Sequence, residues 1–346
     1  MKIHLADPLL DSRWDAFTER HPSASIFHDR GWLRALQRTY GYRPYVITSA
    51  APGEPFTNGI VACQISSWMT GIRLVSLPFS DHCQPLVDHA NEMEALTDWM
   101  IRESGARGWN YVELRPLTAP PGMDAHFQTS GSYWFHELDL EPGIDHLYER
   151  LHKNSFQRKI QRAEREGISC ESGRSRKLMD EFYGLMANTR RRQMLIPQPR
   201  AWFANLLECL GEKVSIRVAR KKGNALAAML TLRHGSTVVY KYGCSDERLH
   251  NLGGMPLLFW RLIEESKVSG YECIDFGRTD MDNPGLLAFK DRLGSAKRLI
   301  TYYRFTKTAK RGAANLSESR AVRKFVSILP ESVSSAAGRL FYKHLG

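Results

Sequence analysis

The sequence is short of several things. No apolar run approaches the roughly 18 residues that a membrane-spanning helix needs. No C-x-x-C occurs: Cys63, Cys83, Cys170, Cys209, Cys244 and Cys273 are scattered. That argues against a disulfide framework and against a Cys-rich zinc site. The twelve histidines show no H-E-x-x-H or related spacing, so no metal is expected. Interleaved exposed aromatics of the kind that mark RNA-binding folds are not evident. The opening MKIHLADPLLDSRWDAF carries acids too early for a secretory signal. A cytoplasmic protein with reduced thiols is the expectation.

What is there is an ordinary globular composition, 42% hydrophobic and 25% charged over 346 residues, a length that suits two domains. Acidic charge is the sign in short supply. The net charge is +11, and from Lys297 to Gly346 there are 11 Lys and Arg against two acids, Glu318 and Glu331. A second basic cluster lies at 150–165. Such a balance implies anionic partners: nucleic acid, phosphorylated intermediates or an anionic membrane face.

Residues 275–294 read DFGRTDMDNPGLLAFKDRLG, opening with the letters of the protein-kinase magnesium loop. A kinase also needs a Gly-rich phosphate loop, a strand lysine and an H-R-D loop. The chain has no G-x-G-x-x-G, no V-A-I-K and no H-R-D, which excludes that reading.

An internal repeat gives a simpler account. In the second half, helices are expected over RKLMDEFYGLMANTRRR and PRAWFANLLECLG. Strands follow over 214–220, 225–233 and 237–243, separated by the turns KKGN and HGS. MPLLFWRLIEESKVSG is a helix with Pro256 in its first turn and Gly270 at its end. YECIDFG is a strand, GLLAFKDRLG a short helix and LITYYRF a last strand. The first half runs alike through DSRWDAFTER, DRGWLRALQRTY, YVITS, GIVACQIS, RLVSLP, ANEMEALTDWMIRESG and WNYVELRP. Gly108 to Leu114 and Gly270 to Phe276 share the pattern G-aromatic-x-x-aliphatic-acid-apolar. Asp275 therefore ends a strand that follows a helix. Ligands gather beyond such carboxyl ends in open sheets, so Asp275 and Arg278 stand where a site could form. Alternatively, Asp275 only orients the following loop.

Helices, a three-strand meander and then helix–strand–helix–strand is the layout of a GNAT-type acyltransferase domain. Two in tandem resemble the FemAB family, whose members transfer amino acids onto cell-wall precursors. The resemblance is carried by SFQRKIQRAEREG (155–167), YKYGCSDERLHNLGGMPLLFWRLIEES (240–266) and DFGRTDMDNPGLLAFKDRLGS (275–295). FHDRGWLRALQRTYGY (27–42) and VSLPFSDHCQPLVD (75–88) add to it in the first half. The pattern is most similar to the FemAB-like branch found with exopolysaccharide and exosortase systems. It implies an α/β (α+β) class with two GNAT-like domains, each a mixed, mostly antiparallel sheet flanked by helices. The expected domains are 1–140 and 141–310, followed by a basic amphipathic tail over 311–346. That tail could lie on an anionic membrane surface or pack on the body of the protein.

The candidate site residues follow. In SFQRKIQRAEREG, Phe156, Ile160 and Ala163 share one helical face and Arg158, Arg162 and Arg165 the opposite one, with Asn154 or Ser155 able to cap the start. Arg158 and Arg162 are like charges four apart, at a cost of a few tenths of a kcal/mol that a bound anion would remove. The resemblance places this helix near the acceptor's phosphates and makes Arg158, Lys159 and Arg162 substrate-binding candidates. It also implies that Lys290 reaches the reaction centre, where a cation or N–H donor facing the oxyanion of ester or thioester aminolysis is worth about 3–4 kcal/mol. Lys290 and Asp275 are the catalytic candidates. Tyr240 and Tyr242 are expected on one strand face and Lys241 on the other, with Tyr242 the better site candidate. Arg278, and Asp81 in the loop PFSDHCQP, complete the substrate-binding set.

CoA-dependent GNAT enzymes carry Arg/Gln-x-x-Gly-x-Gly/Ala between strand and helix, so that backbone N–H groups hold the pyrophosphate. Here DERLHNLGGMP offers Gly253 and Gly254 with a different spacing. These two remain the cofactor-binding candidates, with aminoacyl-tRNA or acyl-CoA as co-substrate and nothing bound tightly. The acceptor implied is an amine on a phosphate-bearing envelope or exopolysaccharide precursor, with tRNA as a possible partner and DNA not expected. The rival readings are an acyl-CoA-dependent N-acyltransferase and a non-catalytic basic RNA- or membrane-binding protein.

Overall fold

The computed structural model of the chain describes residues 1–68, 71–307 and 342–344. The first elements in chain order are β1 (His4–Ala6), α1 (Arg13–Arg20), α2 (Arg30–Tyr40), β2 (Arg43–Thr48), β3 (Ile60–Ser67), β4 (Gly71–Ser76), α3 (Ala90–Ala106) and β5 (Trp109–Leu114). There follow β6 (Gln128–Asp139), α4 (Ile144–Arg150), α5 (Arg158–Arg165), β7 (Ser169–Gly173), α6 (Arg176–Arg192), α7 (Arg200–Leu210) and β8 (Val214–Lys221). The last are β9 (Asn224–His234), β10 (Thr237–Ser245), α8 (Gly254–Val268), β11 (Cys273–Asp280), α9 (Pro284–Asp291) and β12 (Ala296–Thr306).

Two compact units result. One holds Met1–Ser132 and the described residues from Ile300 on; the other is Tyr133–Leu299. In the first unit β1, β2, β3 and β4 pair antiparallel in that order, and β4 pairs parallel with β5. In the second, β7, β8, β9 and β10 pair antiparallel and β10 pairs parallel with β11. A parallel pair needs a crossover, which α3 supplies in one unit and α8 in the other. The repeated heptapeptide follows both helices for the same reason. Gly108 and Gly270 take the left-handed φ (+66° and +78°) that ends a helix, and Val112 and Ile274 enter the core.

The closing strands are a departure from the expected order. Residues Tyr303–Thr306 of β12 pair antiparallel with β5 in the first unit, while Tyr133–Asp139 of β6 pair antiparallel with β11 in the second. Each half of the chain closes the other half's sheet. Hence the units divide at 132/133 and 299/300, where sequence places the divide at 140/141 and 310/311. Apolar alternation marks a strand but not its partner. The tail expected over 311–346 lies outside the described residues, except for 342–344.

Each sheet buries one face under its crossover helix. In the first unit Ile47, Ile60, Leu74, Val112 and Leu114 meet Met93, Leu96 and Met100 of α3. In the second, Leu138, Met229, Ile274 and Phe276 meet Leu258, Phe259 and Leu262 of α8, with Phe156, Ile160 and Ala163 from the α5 segment in the same cluster. That last trio is the apolar face expected from its spacing.

Glu113, the acid of the first heptapeptide, is 5% exposed. It accepts from Arg115 Nε at 2.9 Å and from Arg304 Nε at 3.1 Å, and Arg304 sits 4.2 Å over the Tyr111 ring. Burial alone would raise its pKa; Arg115 and Arg304 overcome that and hold it below the ordinary carboxylate value. A carboxyl whose pKa is depressed on folding stabilises above its unfolded pKa, and the contribution fades as pH falls through the folded pKa. Glu113→Gln leaves two arginines without their shared carboxylate and should cost about 3 kcal/mol at neutral pH. Urea unfolding from pH 7 downward should show the gap between wild type and variant closing in the acid range. A gap independent of pH would contradict this ion-pair account.

Candidate active site at the end of β11

The ladder between β10 and β11 covers only Thr237–Val239 against Cys273–Asp275. Beyond it β10 shifts register against β9 between Tyr240 and Tyr242, and β11 shifts against β6 between Asp275 and Arg278. Such bulges leave backbone groups unpaired and re-aim side chains, and they recur beside active sites. Gly277 takes φ +70° inside the second one. Its N–H donates to Asp275 Oδ1 at 2.5 Å. Asp275, 3% exposed, therefore does hold the turn that follows it.

α9 opens with Pro284 in its first turn and Asn283 as its cap, whose side chain accepts from Leu286 N at 3.1 Å. Most of this helix is open to solvent; Lys290 is buried, at 3% exposure. Its ammonium donates to the carbonyls of Gly277 (3.0 Å) and Arg278 (2.9 Å). Phe289 packs on Phe156 and Phe259, which ties α9 to α8 and to the segment before α5. Arg278 lays its guanidinium 4.0 Å over the Tyr133 ring and stands 3.7 Å from Asp280. The structure thus gathers Asp275, Arg278 and Lys290 where β11 leaves its parallel ladder; the strand itself runs on to Asp280 and does not end at Asp275 as the sequence suggests.

Sequence reading missed His136. Its side chain is fully buried, with Nε2 3.4 Å from Asp291 Oδ1 and neither ring nitrogen in a hydrogen bond. Asp291 Oδ2 also holds Lys297 Nζ at 2.9 Å. Burial, and then the charge of Lys290, pull the imidazole down to about 4 against the partial opposing pull of Asp291. A lone histidine in β6 carries no motif; only the exchanged strand brings it beside α9.

Tyr240 and Tyr242 do not share a face. The bulge at Lys241 sends Tyr240 onto Phe259 (4.8 Å) and Phe276, and Tyr242 onto Phe203 (5.2 Å). Tyr242 Oη accepts from Trp202 Nε1 at 2.9 Å and is 8% exposed, so it belongs to the layer under α7. Strict alternation assumed an unbroken ladder.

Arg158 and Arg162 are exposed and Lys159 is half-buried, as their helical spacing implies. The helix is entered through a π-turn over Lys153–Gln157, and the cap is His152, whose ring accepts from Ser155 N at 3.2 Å, in place of Asn154 or Ser155. Arg162 lies 3.8 Å from Glu166. Gly253 has a packing explanation. Gly253 has φ +79°, and a Cβ there would stand 2.2 Å from the Lys159 carbonyl oxygen; one on Gly254 would meet Ala227 and Leu226 at 3.4 Å. At Gly253 the first turn of α8 is pressed against α5 so closely that only hydrogen at that Cα is allowed, whereas a Cβ at Gly254 would make ordinary contacts with the sheet. Nearby, Ser245 Oγ lies 2.8 Å from His250 Nε2, and burial followed by Arg192 and Lys159 lowers that imidazole's pKa. Asp81 belongs to the first unit, where its carbonyl accepts from Tyr302 Oη at 2.6 Å.

Residues 150–291 match the family model described as an acetyltransferase (GNAT) domain. A search of curated proteins finds no match. Among solved structures the chain is similar to FemX, at 14% identity and a TM-score of 0.68 over 88% of this chain and 97% of that one. It is also similar to the C-terminal domain of a putative lysylphosphatidylglycerol synthetase from Agrobacterium fabrum (14% identity, TM-score 0.53, 85% and 91% covered). L-PGS from Bacillus licheniformis gives 14% and 0.53 over 96% and 98%. The fold is a tandem GNAT fold. Within it the parallel ladder that ends at Asp275 lies in the unit matched by the family model.

Two outcomes are expected. Gly253→Ala should destabilise the protein by about 1–3 kcal/mol in chemical denaturation, from its positive φ and the Lys159 carbonyl together; a neutral result would remove the packing role. His136 should stay neutral in NMR titration down to about pH 4. Because its folded pKa lies below the unfolded value, stability should fall as pH drops from about 6.5 toward 4. An imidazole that titrates near its ordinary value would show that Lys290 and burial do not govern it.

Proposed function

We propose that the second unit passes an activated aminoacyl or acyl group to an amine on a phosphate-bearing cell-envelope or exopolysaccharide precursor. The observation that carries this reading is the buried ammonium of Lys290, fixed by two backbone carbonyls where β11 leaves its parallel ladder. The GNAT match over 150–291 and the fold shared with FemX support it.

In the proposed step the acceptor amine attacks the acyl carbonyl and the carbonyl oxygen takes up the electron pair. The tetrahedral intermediate then collapses with loss of the donor's oxygen or sulfur. The amine proton passes to solvent or to a substrate phosphate, and the leaving atom is protonated in turn. Lys290 supplies positive charge for the oxyanion, in a site where low exposure makes that charge count. Asp275 acts by holding the Gly277 turn. Arg158, Lys159 and Arg162 provide the cationic face for the precursor's phosphate, and Arg278 flanks the reacting end. Tyr242, buried against Trp202, contributes a wall of the site at most. The donor is an aminoacyl-tRNA or an acyl-CoA; the spacing of Gly253 and Gly254, unlike that of the CoA motif, favours the former. The place of action is the cytoplasm or the inner face of the membrane.

Purified protein titrated with a charged aminoacyl-tRNA pool, and in parallel with acyl-CoAs, tests the donor. Saturable tRNA binding without CoA binding is the expected result. With the donor in hand, Lys290→Met should lower turnover about 10²–10³-fold while Lys290→Arg keeps part of it. A folded Lys290→Met variant with full turnover would end the proposal.

A further inference from the structure

We propose that the end of the first unit bearing the β3–β4 hairpin is a docking surface for an anionic phospholipid bilayer, with Trp68 entering the interface. Trp68 is the last described residue before the hairpin tip and is 83% exposed, among the most exposed large apolar side chains described. An indole suits the headgroup level of a membrane, where one end is apolar and the other wet. The surrounding charge has the matching sign. Across the hairpin, Gly71 abuts Asn110 at the start of β5. At the end of α3, exposed Arg107 lays its guanidinium 5.7 Å from both the Trp99 and Trp109 rings and is paired with Glu103 at 2.8 Å, so the surplus positive charge at this end comes from lysines. Lys307, at the end of β12, brings its ammonium against Gly105. Exposed Lys343 lies next to His344, whose ring is 6.1 Å from Trp68.

The chain's course points the same way. It leaves the described first unit at Lys307, and Tyr342–His344 return beside Trp68 with Arg73 Nη2 bonding the His344 carbonyl at 2.9 Å. Clustered basic charge beside an anionic leaflet contributes about 1 kcal/mol per residue, and an inserted apolar side chain adds to it.

The test uses the full chain and does not depend on the proposed transfer activity. Protein is sedimented with vesicles of phosphatidylglycerol mixed with phosphatidylcholine, or of phosphatidylcholine alone. Binding to the anionic vesicles only, weakened by salt, is expected. Trp68→Ser should weaken it about tenfold and Lys307→Ala about fivefold, both with unchanged melting temperature. Brominated lipid should quench the fluorescence of the wild type more than that of Trp68→Phe. No binding, equal binding to both vesicle types, or Trp68→Ser and Lys307→Ala variants that bind like wild type would overturn the proposal.

Discussion

A buried ammonium must be satisfied or it will not stay buried, and in the second unit that requirement organises the strand end. Lys290 can lie at 3% exposure because the bulge in β11 turns the carbonyls of Gly277 and Arg278 toward it. Hydrogen bonds to a charged group are worth about 1.5–3 kcal/mol each, enough to fasten a two-turn helix that has little other buried surface. Asp275 fixes the same turn through the Gly277 N–H. His136 feels the same cation: burial, and then the charge of Lys290, keep its imidazole neutral down to about pH 4 against the opposing pull of Asp291.

The first unit answers the same geometry differently. Glu113 stands where Asp275 stands in the repeat, yet its carboxylate is taken by two side chains, Arg115 and Arg304, instead of a backbone turn. One arginine comes from β5's own end and the other from β12, the strand borrowed from the far end of the sequence. An acid clamped between guanidiniums is a structural part. An acid that shapes a loop beside a buried lysine leaves that loop's backbone and charge turned toward the strand end. The proposed chemistry therefore falls to one unit while both keep the fold.

Most elements were legible because their signals are local. Apolar periodicity found α5's buried face, and the turns KKGN and HGS found the meander β8–β9–β10. Lys290, Asp275 and Arg278 come together as neighbours on one strand and the helix after it. What was not legible is set by contacts distant in sequence. Nothing in LITYYRF says that it pairs with WNYVEL. His136 becomes notable only once β6 lies beside β11. The two tyrosines of YKYG alternate on paper, and a single extra residue at Lys241 puts them on opposite faces.

The glycines bear on the choice of donor. A backbone cradle for pyrophosphate needs N–H groups at a helix start with open space before them. At Gly253 the space beside the Cα is filled by the Lys159 carbonyl, and Gly254 rests on Leu226 and Ala227. Beside this helix start, burial and then the charges of Arg192 and Lys159 lower the pKa of His250. On the proposed reading it is the glycine spacing, unlike that of the CoA motif, that favours an aminoacyl-tRNA donor within a fold that CoA enzymes share.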